Sequence, residues 1–451
     1  MNITNDSLVR LFDENTFVEI GACRGSGVTC GYGSVNTALT FAFAQDSTAE
    51  SGAIGEAEAR KICELYALAE KSGAPIVGIF DGAGARITEG AGALDAFGKI
   101  LGAVSGISGK LPQIAIIKGV CAGMSAVAAS MFDFTVAVEG ALFYINPPTV
   151  QRAGGAGKDA GSVSAAYKSG IIDLVYPDFD SAVDAVRDRL LSMIPQNNTE
   201  RSCSAYMDAP ERDTSGLQVC RSMTEIIDTL TDIGSFVELK AGCVPELKIG
   251  LASFDTLVAG VVATEQGSTL TPAALRKAAS FISYCDNYSL PVVTLVDSTG
   301  IDRSVDSENN ALSSELARVA QAYSSSTGAK ITLVTGKAYG AAFTLLGSKS
   351  VGADIVYALP DAEISVMDPD AAVQFLYGEE IKASDDPAAK RAELTKEWKE
   401  ANTTAGAAAA AGLIDNIIDY CEARAKLTSA LYTLWNKAQG DVYRKHTKLP
   451  F

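Results

Sequence analysis

Apolar residues alternate along the chain between two rhythms. Over 55–72, Ile62, Leu65, Tyr66 and Ala69 recur at three- and four-residue steps, which gathers them on one helical face. Next comes Pro75-Ile-Val-Gly-Ile-Phe80, a short continuous apolar run bounded by turn residues, the pattern of a buried strand. Small and polar residues take over in Asp81-Gly-Ala-Gly-Ala-Arg-Ile-Thr-Glu-Gly90, which predicts a loop. A helix to about Ile107, a strand at 113–117 and a glycine pair at Gly119 and Gly123 leading into a further helix complete the series. A β-rich lead at 17–20 and 38–43 precedes it. The order then returns: a helix over 271–288, a strand at 291–296, a polar loop at 297–310, a helix near 311–326, a strand at 330–334 and a helix from about Gly340. Alternating strands and helices imply an α/β fold with parallel pairing.

The repetition extends to the residues themselves. Pro75-Ile-Val-Gly-Ile-Phe-Asp81 matches Pro291-Val-Val-Thr-Leu-Val-Asp297 at an offset of 216 residues. Ile114-Ala-Ile-Ile-Lys-Gly-Val-Cys-Ala-Gly123 matches Ile331-Thr-Leu-Val-Thr-Gly-Lys-Ala-Tyr-Gly340 at an offset of 217. A long-period repeat implies two similar domains related by internal duplication, and 451 residues are too many for one ordinary core. The polar stretch 195–215 places the expected boundary, giving domains 1–212 and 213–451. The charged segment 379–400 reads as a solvated helix pair.

Composition narrows the partners. A net charge of −17 argues against nucleic acid, because neutralising phosphates needs a basic face. A small anionic ligand remains compatible, since it senses only the local field. Hydrophobic residues make up 47% and charged residues 20%, a globular balance. No apolar run is long enough to span a bilayer, and the start of the chain lacks a signal-peptide pattern, so a cytoplasmic protein is expected. None of the nine cysteines forms a CxxC pair, so they are expected to be reduced and buried rather than zinc-binding. The one histidine, His446, lies five residues from the end, which tells against a serine hydrolase or any internal histidine base.

Candidate chemistry sits where each repeated strand runs through Gly-x-x-x-Gly into a helix. Glycine admits close approach to the backbone, and the first amides of a helix have no internal acceptor. Such amides can stabilise a carbonyl that becomes an enolate, as an oxyanion hole does. The expected catalytic amides are Gly123 and Met124 in the first half and Ala341 and Ala342 in the second. Close strand–helix packing accounts for either glycine pair taken alone; its recurrence at matched positions favours function. The loop Gly82-Ala-Gly-Ala-Arg86 suits a nucleotide or thioester, with Arg86 either binding an anion or pairing with Glu89 three residues on.

These residues resemble the carboxyltransferase family of biotin-dependent acyl-CoA carboxylases and decarboxylases. The similar segments are Gln45-Asp46, Lys71-Ser-Gly-Ala-Pro-Ile-Val-Gly-Ile79, Gly84-Ala-Arg-Ile-Thr-Glu-Gly90 and Gly119-Val-Cys-Ala-Gly123. In the second half they are Lys277-Ala-Ala-Ser-Phe-Ile282, Cys285-Asp286, Leu290–Asp297, Lys337-Ala-Tyr-Gly340 and Ala362–Pro369. The resemblance implies two tandem crotonase-like domains of the ClpP/crotonase superfamily. It implies an acyl-CoA site mainly in the first domain and a biotin site mainly in the second, meeting across a dimer interface inside a hexamer. Gly123 and Met124 would hold the thioester enolate, and Ala341 and Ala342 the biotin ureido oxygen. Gly84, Ala85, Arg86, Ile87 and Ala122, with Tyr339, Gly340, Phe343 and Thr344, would bind substrate, and no metal is implied. Coenzyme A enters as part of the substrate. With no Met-Lys-Met biotinylation sequence and no ATP-binding glycine loop in this chain, biotin is expected on a separate biotin carrier protein. A biotin carboxylase or a membrane decarboxylase subunit would serve that carrier, the latter placing the chain at the periphery of a membrane complex.

The chain departs from the family's pattern at several positions. Gly123-Met124 replaces Gly-Gly, Tyr339-Gly-Ala-Ala-Phe-Thr344 replaces Tyr-Gly-Gly-Ala-Tyr-Asp, Asp297-Ser-Thr-Gly300 replaces Asp-x-Pro-Gly, and Ser314-Glu-Leu-Ala317 replaces Arg-His-Gly-Ala. In the family, position 344 lines the acyl pocket. Two other functions are compatible with the fold. One is a crotonase-type hydratase or isomerase, or a malonate-decarboxylase-like subunit, for which Glu89 offers one carboxylate without a convincing partner. The other is a non-catalytic assembly subunit, which the changes in the second half would fit.

Overall fold

The structure, a computed structural model, describes residues 3–23 and 25–437; His446 lies outside them. The described chain forms two compact units. One holds the chain up to Cys203 and takes back 239–243; the other holds 204–238 and the chain from Val244 onward.

In the first unit the strand order is Val18–Ile20, Val28–Val35, Ala38–Gln45, Ile76–Gly82, Gln113–Ala122, Phe134–Val138 and Leu174–Tyr176, with Leu142–Tyr144 alongside Gln113–Ala122. The first three strands are antiparallel and the rest join in parallel. The second unit repeats this plan. An antiparallel hairpin, Leu247–Phe254 and Leu257–Thr264, leads into the parallel strands Val292–Ile301, Lys330–Tyr339 and Ile355–Ala358. Parallel strands need crossovers, and helices Glu56–Ser72, Ala91–Ile107, Pro272–Asn287 and Leu312–Ser325 supply them. The periodic residues Ile62, Leu65, Tyr66 and Ala69 are buried, as are Ala278, Phe281, Ile282 and Cys285 in the matching helix. Each large aliphatic side chain so buried contributes about 1.5–3 kcal/mol.

Three strands run on past the ends that their apolar runs predict. Those expected at 113–117 and 330–334 continue to Ala122 and Tyr339, and the segment expected as a polar loop from Asp297 is strand as far as Ile301. One device extends both pairs. The ladder shifts register between Phe80 and Gly82, and again between Val296 and Ser298. At the shift the Asp81 carboxylate accepts the Val120 amide at 3.1 Å, and Asp297 accepts the Lys337 amide at 2.9 Å. Each carboxylate lies where a side chain at Gly119 or Gly336 would stand, so glycine is required opposite it. Polar residues therefore continue a strand that hydropathy alone ends.

The duplication reaches single side chains. Lys61 and Lys277 are both buried, and their ammonium groups donate to Val28 O at 2.7 Å and Leu247 O at 2.8 Å, the first residues of matching strands. Asp173 accepts the Thr135 amide at 2.7 Å, and Asp415 the Val356 amide at 2.8 Å.

The charged segment is part of a helical hairpin, Pro369–Ala383 and Pro387–Asn402. Each helix opens on an Asp cap followed by proline, and the hairpin closes over the small core Val373, Ile381 and Leu394. All nine cysteines are free thiols. Cys30, Cys121 and Cys285 are buried, whereas Cys23, Cys203 and Cys421 are exposed, which corrects the expectation of uniformly buried cysteines. Among the described residues no helix is long and apolar enough to cross a membrane, and no cluster of three metal-ligating side chains occurs.

Candidate functional site

Both repeated strands end in the same turn. Gly123 has φ 57° and ψ −126°, and Gly340 has φ 54° and ψ −125°. Side-chain-bearing residues avoid this region, so glycine alone carries the chain from strand into helix there. The helices Met124–Ser130 and Ala341–Leu346 start at the next residue.

The glycine amides themselves are already used. Gly123 N–H donates to Tyr144 O and Gly340 N–H to Ser365 O, each at 2.8 Å. Gly123 therefore supplies the turn rather than a free donor. Among the described residues the amides of Met124 and Ser125 have no acceptor, and neither do those of Ala341, Ala342 and Phe343. The first-unit pair lies one residue beyond the expected Gly123 and Met124. Ser125 was missed, although aligning Gly123 with Gly340 carries Ala342 onto it. The Met124 side chain finds its room at the surface, 37% exposed. Ser125 is fully buried, and its hydroxyl has no hydrogen-bond partner.

Gly84 comes close to this turn. It has φ 92°, and a Cβ there would lie 2.9 Å from Ala122 O, so only glycine allows the approach. Its loop is stitched to the preceding segment: Ile54 N–H donates to Gly84 O and Arg86 N–H to Ile54 O, each at 2.8 Å, and Ala85 bridges Ile54. Ile87 follows, 90% exposed, a large apolar side chain held at the surface. The structure thus gathers Gly84, Ala122, Gly123 and Met124.

Arg86 has a different place. Its Nη2 lies 2.8 Å from Glu58 and its Nη1 3.0 Å from Glu89. Its Nε is 2.6 Å from Glu50, close enough for an ion pair though not aligned for a hydrogen bond. Burial disfavours the Glu58 carboxylate, but Arg86 and backbone amides outweigh it and hold that carboxyl below its ordinary value. Of the two uses expected for Arg86, pairing with Glu89 is the one present, inside a triad of carboxylates. Glu89 also accepts the Glu56 amide at 2.7 Å, so it ties down a helix start and is not free as a base.

In the second unit Tyr339, Gly340, Phe343 and Thr344 lie in one continuous strand–turn–helix. Tyr339 is buried, with its hydroxyl bonded to Glu363. Glu363 in turn meets Lys399 Nζ at 2.7 Å. Burial and then the Glu363 charge push the Tyr339 phenol up, so it stays a neutral donor. Phe343 is buried, and the exposed Thr344 donates its hydroxyl to Gly340 O at 3.2 Å. Each unit thus offers a pair of free amides above a glycine turn, the donor set that a developing oxyanion or a strongly polarised carbonyl needs.

The family model described as "Carboxyl transferase domain" matches residues 10–449. A putative propionyl-CoA carboxylase beta chain of Bacillus subtilis (strain 168) is 34% identical, covering 99% of this chain and 93% of its own. The methylmalonyl-CoA decarboxylase subunit alpha of Propionigenium modestum is 32% identical, over 99% of this chain and 92% of its own. The crystal structure of transcarboxylase 12S, described as a hexamer assembly with methylmalonyl-coenzyme A bound, superposes with a TM-score of 0.95 at 33% identity, covering 99% and 92% of the two chains. With its two duplicated crotonase-like domains, the chain belongs to the carboxyltransferase family of biotin-dependent acyl-CoA carboxylases and decarboxylases, and is an enzyme of that family.

Proposed function

We propose that this enzyme moves a carboxyl group between biotin on a separate carrier protein and a short branched acyl-CoA, the propionyl/methylmalonyl pair. The observation that carries this reading is the recurrence of one glycine turn, within 3° in φ and 1° in ψ, with free amides after it in both units. The acyl class follows relatives named for propionyl-CoA and methylmalonyl-CoA.

The amides of Met124 and Ser125 hold the thioester oxygen. Deprotonation at the α-carbon moves an electron pair onto that oxygen, so two aimed donors act more strongly on the enolate than on the ground-state thioester. The Ala341 and Ala342 amides hold the biotin ureido oxygen, a neutral acceptor that suits uncharged donors. Biotin, when bound, would supply as its N-carboxyl group the CO2 that bonds to the α-carbon, or in the reverse direction take up the CO2 released when that carbon–carbon bond breaks. Gly84 and Ala122 keep side chains clear of the acyl thioester. The first unit forms the acyl-CoA side and the second unit the biotin side. The chain assembles as a dimer-based hexamer in the cytoplasm. Its carrier exchanges carboxyl groups with either a biotin carboxylase or a membrane decarboxylase subunit.

The test is to incubate the purified chain with free biotin and malonyl-, methylmalonyl- or glutaconyl-CoA, and to follow the thioesters by mass spectrometry. Biotin-dependent conversion of methylmalonyl-CoA to propionyl-CoA is expected. Preference for glutaconyl- or malonyl-CoA would overturn the acyl class. Biotin-independent loss of CO2, or hydration of crotonyl-CoA, would overturn the reaction.

A further inference from the structure

A short strand holds each glycine turn in place, and its backbone is the same in both units. In the first unit Leu142–Tyr144 pairs with the end of Gln113–Ala122, and Tyr144 O takes the Gly123 amide. Phe143 N–H donates to Gly161 O at 2.9 Å, beside an antiparallel bridge from Leu142 to Ser162. In the second unit Glu363–Ser365 pairs with the end of Lys330–Tyr339, and Ser365 O takes the Gly340 amide. Ile364 N–H donates to Thr403 O at 2.8 Å, beside an antiparallel bridge from Glu363 to Thr404. Position by position, Ala122 stands where the second unit has Tyr339, and Leu142 where it has Glu363.

The side chains at these two positions differ in kind. Ala122 and Leu142 carry no polar group, so main chain alone links the first turn to its short strand. In the second unit the Tyr339 hydroxyl donates to Glu363, and the other Glu363 oxygen meets Lys399 Nζ at 2.7 Å. Lys399 belongs to Pro387–Asn402, the second helix of the helical hairpin. The first unit has no such hairpin at this place: between Leu142 and Ser162 lies only the short helix Pro148–Ala153. Burial disfavours the Glu363 carboxylate, but Lys399 and the Tyr339 hydroxyl outweigh it and hold that carboxyl below its ordinary value. Glu363 is therefore ionised at neutral pH, a charged link between a buried phenol and the hairpin.

We propose that Tyr339, Glu363 and Lys399 are positioning residues for the biotin step, through which the helical hairpin sets the aim of the Ala341 and Ala342 amides. That role rests on the second unit being the biotin side. The two amides have no acceptor among the described residues, so their direction is that of the turn alone. The turn hangs from two points: the Gly340 amide on Ser365 O, and Tyr339 one peptide bond before it. Tyr339 is buried, so its hydroxyl must keep an acceptor, and an ionised carboxylate is about twice as strong an acceptor as a neutral group. Lys399 fixes where that carboxylate stands. A displacement of the hairpin therefore reaches the turn along a charge-assisted chain. Donors aimed at a reacting group lose much of their effect when displaced by about 1 Å.

The test compares the full chain with Lys399→Met, Lys399→Arg and Tyr339→Phe. The Lys399 side chain is 43% exposed, so its variants fold. Steady-state kinetics vary free biotin and methylmalonyl-CoA independently, and hydrogen exchange read by mass spectrometry follows the segment 337–347. Lys399→Met and Tyr339→Phe should each raise the KM for free biotin at least about threefold, leave the KM for methylmalonyl-CoA unchanged, and speed exchange at the turn. Lys399→Arg keeps the charge beside Glu363 and should restore both readouts. An unchanged biotin KM in Lys399→Met, an equal rise in both KM values, or no restoration by Lys399→Arg would each overturn the proposal. Faster exchange at the turn in Lys399→Met, from a wild-type chain that shows no biotin-dependent turnover, would overturn the biotin assignment of the second unit, and the role in the biotin step with it, while leaving the link between hairpin and turn.

Discussion

At Ser125 the main chain and the side chain have opposite uses. The amide is free at a helix start, while the hydroxyl is buried without a partner. Ser125→Ala keeps the amide and removes an unsatisfied polar group. It should retain full transfer activity and gain about 1 kcal/mol in stability, read from urea unfolding with parallel kinetics. Met124→Pro does the reverse. The first helical position tolerates proline because its N–H makes no helical bond, so the fold survives and one donor disappears. With an unchanged circular dichroism spectrum, kcat for methylmalonyl-CoA decarboxylation should fall by about 10²–10³. Glu58 sets a pH dependence. Its carboxyl lies below its ordinary value of 4.5, so its stabilising share is fully present above that value and lost as pH falls through the folded pKa. The urea midpoint should therefore drop on acidification below about pH 4.5, and drop less in Glu58→Gln.

Among the elements, the bulged strand pairs carry the site. Asp81 and Asp297 keep Gln113–Ala122 and Lys330–Tyr339 running until they reach the glycine turns, and Gly119 and Gly336 make room for those carboxylates. Gly336→Ala should cost about 1–3 kcal/mol in chemical denaturation, because its methyl would collide with the Asp297 carboxylate inside a packed ladder. A folded variant of unchanged stability would show the ladder yielding there. The helices were the most legible elements, since 56–72 and 272–287 carry their apolar residues at helical spacing and bury them. The strand ends were not. Lys118, Gly119, Thr335 and Lys337 read as loop, and cross-strand hydrogen bonds, to an aspartate on one side and to the short strands Leu142–Tyr144 and Glu363–Ser365 on the other, keep these strand ends extended.

For the whole molecule, duplication builds two units alike, and the proposed function assigns acyl-CoA to one and biotin to the other. Ala341→Pro should raise the KM for free biotin while leaving the affinity for propionyl-CoA unchanged. Met124→Pro should weaken acyl-CoA inhibition and spare the biotin KM. Steady-state kinetics with both substrates varied would show the split, and a matching effect of both variants on both substrates would refute it. The arginine staples, Arg187 with Asp13 and Arg424 with Asp232, follow the same plan, and the segments that carry the aspartates repeat in sequence too, Leu11, Asp13, Phe17, Val18 and Glu19 recurring as Leu230, Asp232, Phe236, Val237 and Glu238. The partners of Arg424 come from Asp208, Ala209, Leu230 and Asp232, separated along the chain by more than any periodic pattern spans.

By itself the sequence determined the α/β class, the internal repeat, the crossover helices and the two glycine turns. These follow from local spacing and from residue types with few substitutes, such as glycine at positive φ. The tertiary structure decided which atoms are available. Gly123's amide goes to Tyr144 O, leaving Met124 and Ser125 as donors; Arg86 goes to three carboxylates; the Tyr339 hydroxyl goes to Glu363. Each of those outcomes rests on hydrogen bonds between segments remote in sequence. Such bonds form only once the sheet brings the partners together, and that is why the pattern along the chain could not carry them.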